Sequence, residues 1–390
     1  MTRSWLVVSL IVLAVFARAA AQEPLSDVLS FLLTNRAVQT NDFVRDAQAA
    51  ATTRDTITTL LAAEIATQPP SLSSVGFAYR FDNELSTLVR ASDSFGSFFT
   101  ERSLTAGRGH AAVGTSLRLT HYTSLDGRDL EDGTFVTTAN QFRDEATPFD
   151  QETLTLQLDS RVLTFTGTYG VTDRLDVSAA VPFVSLALKG NRVNTYRGTR
   201  TVQAEAEATA NGIGDVAVRA KYGVLNGRTG GLAVAGELRL PTGREQALLG
   251  TGKAAFSVVL IGSAERGPIG WSGNVSLSGG GLSNEMNYRG AVTYTASDRV
   301  TLVGELVGRR FGDVGRITEA RAPHPTIAGV DTIRLVTEDT SLSTGALVGG
   351  AKWNLTGTWI LGGHAMVPMT DRGLRSGIVT LFGLEYAFGL

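Results

Sequence analysis

The sequence predicts an antiparallel transmembrane β-barrel of about twelve strands (twelve to fourteen), preceded by a short helical segment. Three observations lead there. From residue 71 onward apolar residues recur with period two, not 3.6. The alternating runs are typically 10–15 residues long, against ~5–6 for soluble strands and ~9–11 plus ends for tilted membrane crossings. About twelve such runs can be drawn, and single-chain outer-membrane barrels carry an even number.

Composition narrows the function classes. The 390 residues hold 35 Lys+Arg against 37 Asp+Glu, a net charge of −2. No basic field exists to neutralise nucleic-acid phosphates. Cysteine is absent, which excludes disulfides, Cys-ligated zinc, thiol nucleophiles and a lipidated N-terminal Cys. No cofactor is expected.

Residues 1–21 read as a secretory signal peptide. Arg3 is followed by the apolar run Trp5 to Phe16 and the small residues Ala19, Ala20 and Ala21. Twelve apolar residues are too few to span ~30 Å of hydrocarbon as a helix. Residues 22–70 are helical in pattern. Leu25, Val28, Leu29, Leu32 and Leu33 share one helical face, as do Ile57, Leu60, Leu61 and Ile65. Asp27 and Asp42 are helix-start residues, and Pro69-Pro70 ends the last helix. Residues 71–108 hold short Phe-rich strands, 75–81, 85–90 and 96–100. They are expected either to plug the barrel or to add a hairpin to its wall. In the plug reading the helices of 24–68 are expected at the periplasmic mouth.

The barrel is expected over 109–390. Its strands are read at 109–122, 153–169, 174–188, 213–224, 231–241, 253–263, 269–279, 286–295, 299–311, 342–355, 358–368 and 377–388. In 213–224, Val216, Val218, Tyr222 and Val224 oppose Asp215, Arg219 and Lys221. In 286–295, Met286, Tyr288, Val292 and Tyr294 oppose Asn287, Arg289, Thr293 and Thr295. One face suits lipid, the other water. Short connections near 171–173, 225–230, 264–268, 296–298 and 356–357 alternate with longer ones, notably 123–152, 189–212, 242–252 and 312–341. That is the habit of periplasmic turns and outer loops.

Tyr169, Tyr222, Tyr294, Trp353 and Trp359 lie just before or after the short turns, and are expected to form an aromatic girdle at one interface. At the C-terminus Phe382, Leu384, Tyr386, Phe388 and Leu390 share one parity. Gly383, Tyr386 and Phe388 fit the Gly-x-x-aromatic-x-aromatic part of a barrel-assembly signal. Leu381 stands where a polar residue is usual, and Gly389-Leu390 extends past the last aromatic.

Several stretches resemble the outer-membrane family of the MetA-pathway of phenol degradation, a set of proposed transporters. They are Phe77-Ala-Tyr-Arg-Phe-Asp82, Ser92-Asp-Ser-Phe-Gly96, Glu101-Arg102-Ser-Leu-Thr-Ala-Gly107-Arg-Gly109, Tyr169 to Phe183, Gly212 to Tyr222, and Leu238-Arg-Leu-Pro-Thr-Gly243. The resemblance implies an outer-membrane channel for aromatic or other small apolar molecules. Its motifs are structural, so it assigns no catalytic residue.

Catalytic signatures are missing. His110, His121, His324 and His364 show no H-x-x-x-H or H-E-x-x-H spacing, and no metal site is expected. No Gly-x-Ser-x-Gly elbow supports a lipid hydrolase. Gly250-Thr-Gly-Lys253 lacks the upstream Gly and the following Ser/Thr of a phosphate loop. The chain is therefore not expected to be an enzyme. The lumen-facing parity collects Arg118, Asp215, Arg219, Lys221, Glu237, Arg239, Arg289, Glu305, Arg309, Lys352 and Glu385. These are seven basic and four acidic residues, a balance of +3 that gives an open pore a modest anion preference. The alternative is that they pair across strands and fill the barrel. Loop 123–152 is acidic, either simply solvated or bridged to lipopolysaccharide by divalent cations.

The expected partners are outer-membrane lipid and lipopolysaccharide, the barrel-assembly machinery and a small-molecule solute. The rival readings are a structural or adhesive barrel, a soluble β-sandwich binding protein and a barrel-embedded lipid hydrolase.

Overall fold

The computed structural model describes residues 24–66, 76, 79–82, 87–90, 92–227, 230–312 and 314–389. The expected signal peptide, the Pro69-Pro70 stop, Phe77 and Leu390 lie outside the described residues.

Twelve antiparallel strands close into a barrel. In chain order they are β1 (His110–Leu125), β2 (Asp150–Gly170), β3 (Leu175–Tyr196), β4 (Val216–Asn226), β5 (Gly230–Leu240), β6 (Ala255–Arg266), β7 (Ile269–Gly280), β8 (Glu285–Ser297), β9 (Val300–Phe311), β10 (Leu342–Asn354), β11 (Trp359–Pro368) and β12 (Val379–Gly389). β12 closes on β1, with Phe388 opposite Ala111 and Thr380 opposite Leu119. No edge strand is left to present unpaired backbone to hydrocarbon. The hairpin Tyr79–Asp82/Thr87–Arg90 pairs only with itself. The wall therefore has twelve strands, and the fourteen-strand alternative is not realised.

The alternation works as patterned. Val113, Leu117, Val218, Val234, Leu260, Trp271, Val275, Leu302, Leu347 and Leu361 point outward and are exposed, while their inward neighbours are buried. Apolar outside and polar inside is the reverse of a soluble sandwich.

Three connections expected to be loops contain strands. β3 runs on to Tyr196 and returns as Thr199–Ile213. Phe135–Phe142 pairs with the start of β2 and with Val330–Glu338, which pairs in turn with Arg316–Pro323. Together they raise a curtain above one side of the wall. The return strand was hard to read because Ala204-Glu-Ala-Glu-Ala208 combines strand alternation with good helix formers. Its alanines face inward only because a helix packs there.

That helix is α1 (Leu25–Leu33); α2 spans Phe43–Ala66, and Asp42 caps its start by accepting the Arg45 amide. Asp27 sits in the first turn of α1, which begins after Pro24. The apolar faces of both helices join Leu154, Leu156, Leu186, Leu188, Leu248 and Ile317 in one core. These residues belong to the curtain and the long-loop end. The helices therefore close the mouth opposite to the expected one. The reason is apolar surface: the curtain's inner face supplies it, whereas the short-turn mouth has only turns to offer.

The outward face of β4 generates a stability prediction. Val218 pairs with Leu238 and Ala179 and is exposed on the outer, apolar face. Val218→Arg should cost about 2–4 kcal/mol, the mid-bilayer penalty for Arg on a barrel's lipid face. Denaturant unfolding in bilayers checks it. No loss would contradict the outward placement of this parity.

Candidate functional site: a lumen closed by the chain itself

Residues 92–107 cross the barrel near its short-turn end as an irregular strap. Their backbone makes no ladder with the wall, so each buried amide and carbonyl needs another partner. Inward side chains of the wall provide them. Glu305 accepts hydrogen bonds from the amides of Phe98 (2.5 Å), Phe99 (3.0 Å) and Thr100 (2.8 Å) and from the Thr100 hydroxyl (2.9 Å). Lys352 donates to the carbonyls of Phe95 (3.2 Å) and Ser97 (2.7 Å). Arg289 donates to the Phe99 carbonyl, and Lys221 to that of Leu104. Asn274 both accepts from the Glu101 amide and donates to its carbonyl. Asp176 accepts from the Ala106 amide and faces Lys221 at 3.6 Å. Glu385 accepts from the Gly76 amide at 2.7 Å.

The lumen is two-sided. Charged and amide side chains that hold the strap lie mainly on β3 to β9, with Lys352 on β10 and Glu385 on β12 outside that arc. The other half, on β9 to β12, offers apolar surface to the strap's rings. Phe98 and Phe99 pack with Val303, Val307, Ala346, Val348, Met366 and Val379. Both rings also contact the His364 imidazole, at 4.3 and 5.0 Å between centroids. Phe95 is fully buried with Ala112, Ile360 and Ala387. The strap's own shape is set by the stretches singled out in the sequence. Gly96 takes φ +70°, and a Cβ there would lie 2.9 Å from Nε of Arg102. The Arg102 guanidinium is spent on the Ser92 hydroxyl and the Ser94 carbonyl, both at 2.8 Å. Gly107 and Gly109 turn the chain into β1 at φ +85° and +73°. There a Cβ on Gly170 would lie 1.9 Å from the Gly107 oxygen.

The remaining inward residues have other tasks. Arg219 contacts Glu101 at 2.5 Å and Glu237 at 3.3 Å, and Glu237 also meets Arg239 at 3.1 Å. Removing Arg219 would leave two facing carboxylates, so Arg219→Ala is not the mild change that a simple water-facing position suggests. Asp215 holds the 241–254 loop through the amides of Gly243 and Thr251. Arg309 pairs with Glu285 at 2.9 Å and donates to the Ala63 carbonyl, fixing the inner end of α2. Arg118 lines a cavity with Ile65, Phe99 and His364. Asp176, Glu265 and Glu285 also face inward at lumen level. They raise the acidic count from four to seven, and Arg375, beside Glu64 and Arg309, raises the basic count from seven to eight. Most of the +3 balance disappears, and with it most of the ground for an anion preference. Asp176 and Glu285 were legible by strand parity. Glu64 and Glu101, on the helix and strap, were not.

Tyr169, Tyr222, Tyr294 and Trp353 are exposed on the outer surface at the short-turn end. Trp359 stacks on Tyr386 at 4.7 Å, and Tyr386 on Phe388 at 5.5 Å. Gly383 pairs with Gly362 and Ser116. Leu381 faces the lumen, beside His364. Among the described residues no cluster of His, Asp and Glu suits a metal ion. Three of the spaces inside the wall measure only about 60, 50 and 40 Å³.

Glu305 is the strap's main anchor. Glu305→Ala strips three amides of their acceptor, at about 1–3 kcal/mol for each buried group left unsatisfied. Limited proteolysis within 92–107 should accelerate most in that variant and to an intermediate extent in Glu305→Gln, which keeps one acceptor oxygen but turns a donor NH2 toward amides now bound to the other.

No curated protein sequence matches the chain. Three solved structures illustrate the architecture it resembles. The COG4313 outer membrane channel from Pseudomonas putida F1 is 13% identical, with a TM-score of 0.45, over 73% of this chain and 97% of that one. A KdgM porin in complex with disordered oligogalacturonate is 9% identical, TM-score 0.34, over 61% and 98%. The NanC porin is 8% identical, TM-score 0.36, over 71% and 98%. These are likenesses of fold alone. The family model described as "Putative MetA-pathway of phenol degradation" matches residues 139–349. That is more than half of the sequence, and the chain belongs to this family.

Proposed function

We propose that the protein is an outer-membrane channel for small molecules that rests in a closed state. The observation that carries this reading is the strap. It is held by side-chain hydrogen bonds from the wall and not by strand pairing, so it can leave without breaking the barrel. The outward apolar surface and the aromatic residues at one rim support placement in a lipid bilayer. The Tyr386/Phe388 pair beside Trp359 supports recognition by the assembly machinery. Small aromatic solutes are the favoured cargo. The family's description points to phenols, and His364 with Val303, Val307, Met366 and Val379, the surface that Phe98 and Phe99 now cover, would line the path left by a displaced strap. The acidic 123–152 connection suits contact with lipopolysaccharide through divalent cations.

A second reading, a closed scaffold without transport, has one specific support. Cavities of about 40–60 Å³ fall short of the ~150 Å³ that admits benzene.

One pair of residues separates the two. Ser103 and Ser263 place their hydroxyl oxygens 2.7 Å apart, joining strap to wall. The chain has no native cysteine, so Ser103→Cys with Ser263→Cys creates a single lockable bridge. In planar bilayers the reduced double variant should conduct and admit phenol, and oxidation should abolish both. Silence in both states favours the scaffold. Equal conductance in both states removes the strap as the gate. Separately, deleting residues 386–390 should leave the chain unassembled in the periplasm. Wild-type outer-membrane levels of that truncation would end the assembly-signal argument.

A further inference from the structure

We propose that the barrel exports its own N-terminal segment, so that residues 24–66 stand at the cell surface, having passed through the lumen. The inference rests on the outer-membrane reading and goes beyond it.

The argument is one of chain path. β1 begins at His110, at the short-turn end, and β12 finishes beside it at Gly389. Short turns mark the periplasmic side and long connections the outer side. Yet α1 and α2 lie at the long-loop end, inside the curtain. Following the chain forward, Ile65 lines a mid-lumen cavity with Phe99, Arg118 and His364. Gly76 then contacts Glu385 and Ile360, close to the short turns. Both points lie within a wall that closes completely. A chain entering from the periplasm therefore reaches this arrangement by sending residues 24–66 through the barrel, or by having the barrel close around them.

The segment suits such a passage. Half of α2, twelve of its 24 residues, is Ala or Thr, giving a slim helix for a twelve-strand lumen. Apart from Arg309 at the inner end of α2, its main polar anchors are on the far side. Arg192, paired with Glu152 at 3.1 Å, donates to the Phe31 and Thr34 carbonyls at the end of α1. Arg334 meets Asp46 at 2.6 Å, and Asn140 and His324 both reach the Gln39 carbonyl at 2.9 Å. These groups stand ready to hold the segment once it arrives, and they oppose its return.

Single-cysteine labelling tests the proposal in the full-length, otherwise cysteine-free protein. Ala47 on α2 and Thr199 on the curtain are exposed, and Asp298 is exposed in a short turn. A membrane-impermeant maleimide should label Ala47→Cys and Thr199→Cys equally on intact cells, and Asp298→Cys only after permeabilisation. Gln48→Cys, exposed beside Ala47, repeats the measurement should Ala47→Cys misfold. Labelling of Thr199→Cys without labelling of positions 47 and 48 overturns the export inference and leaves the channel reading standing. Labelling of Asp298→Cys alone on intact cells reverses the barrel and overturns the inference too. Absence of all variants from the outer-membrane fraction would strike the channel reading itself.

Discussion

A barrel wall facing hydrocarbon must turn its charges inward, and an inward charge that is cut off from water must find a partner. Much of this molecule follows from that requirement. The partners are mainly other wall side chains and the backbone of the N-terminal strap. An irregular strap would be untenable by itself, because its amides and carbonyls have no ladder. A charged lumen emptied of water would be equally costly. Each satisfies the other. Glu305 accepting from a row of amides and Lys352 donating to carbonyls are the clearest cases. Such charge-assisted bonds are short and individually strong, and they are local enough to exchange for water when the strap leaves.

The division of the lumen into a polar and an apolar half gives that closure its geometry. The Phe98 and Phe99 rings point to β9–β12 and most of the backbone bonds go to β3–β9, with Lys352 on β10 the exception, which fixes how the strap lies. The mouth on the opposite side is closed on different terms. There the helices bury a continuous apolar face against the curtain, with Arg192–Glu152 and Arg334–Asp46 as buried ion pairs. Burial of that kind is cooperative and slow to open. The two closures thus differ in chemistry. The strap end is held by exchangeable hydrogen bonds, the helix end by a hydrophobic core.

Most of the wall was legible in the sequence because lipid imposes a strict period. Val218 against Arg219, or Leu238 against Glu237, announces the two faces wherever the strand crosses the bilayer. The same rule singles out the eleven charges that share the inward parity. Legibility ended where lipid ended. Beyond the bilayer, the 199–213 strand and the 330–338 hairpin face water and the chain's own helices, and their pattern follows those helices instead. The seat of α1 and α2 was misjudged for the same reason: their apolar faces were plain, but the surface receiving them had been read as loop. The strap's Phe residues signalled a need for burial. Nothing in one dimension revealed that wall carboxylates and amines would solvate its backbone. Gly96, Gly107 and Gly109 stood out as a pattern before their positive φ angles gave the pattern a cause.

The wall is also of unequal height. β2 and β3 hold 21 and 22 residues, whereas β7 and β8 hold 12 and 13. At roughly 2.5 Å of axial rise per tilted residue, one side stands about 22 Å above the other. The rim is an oblique cut, like the tip of a quill. Its low edge is the tight connection between β7 and β8, and one of the small interior spaces lies just inside it, against Ser278, Leu282 and Asn287. A molecule dissolved among lipid headgroups on that side would meet a threshold, whereas one descending along the axis would meet the helices. The shape therefore favours lateral arrival, from the membrane surface instead of the open medium.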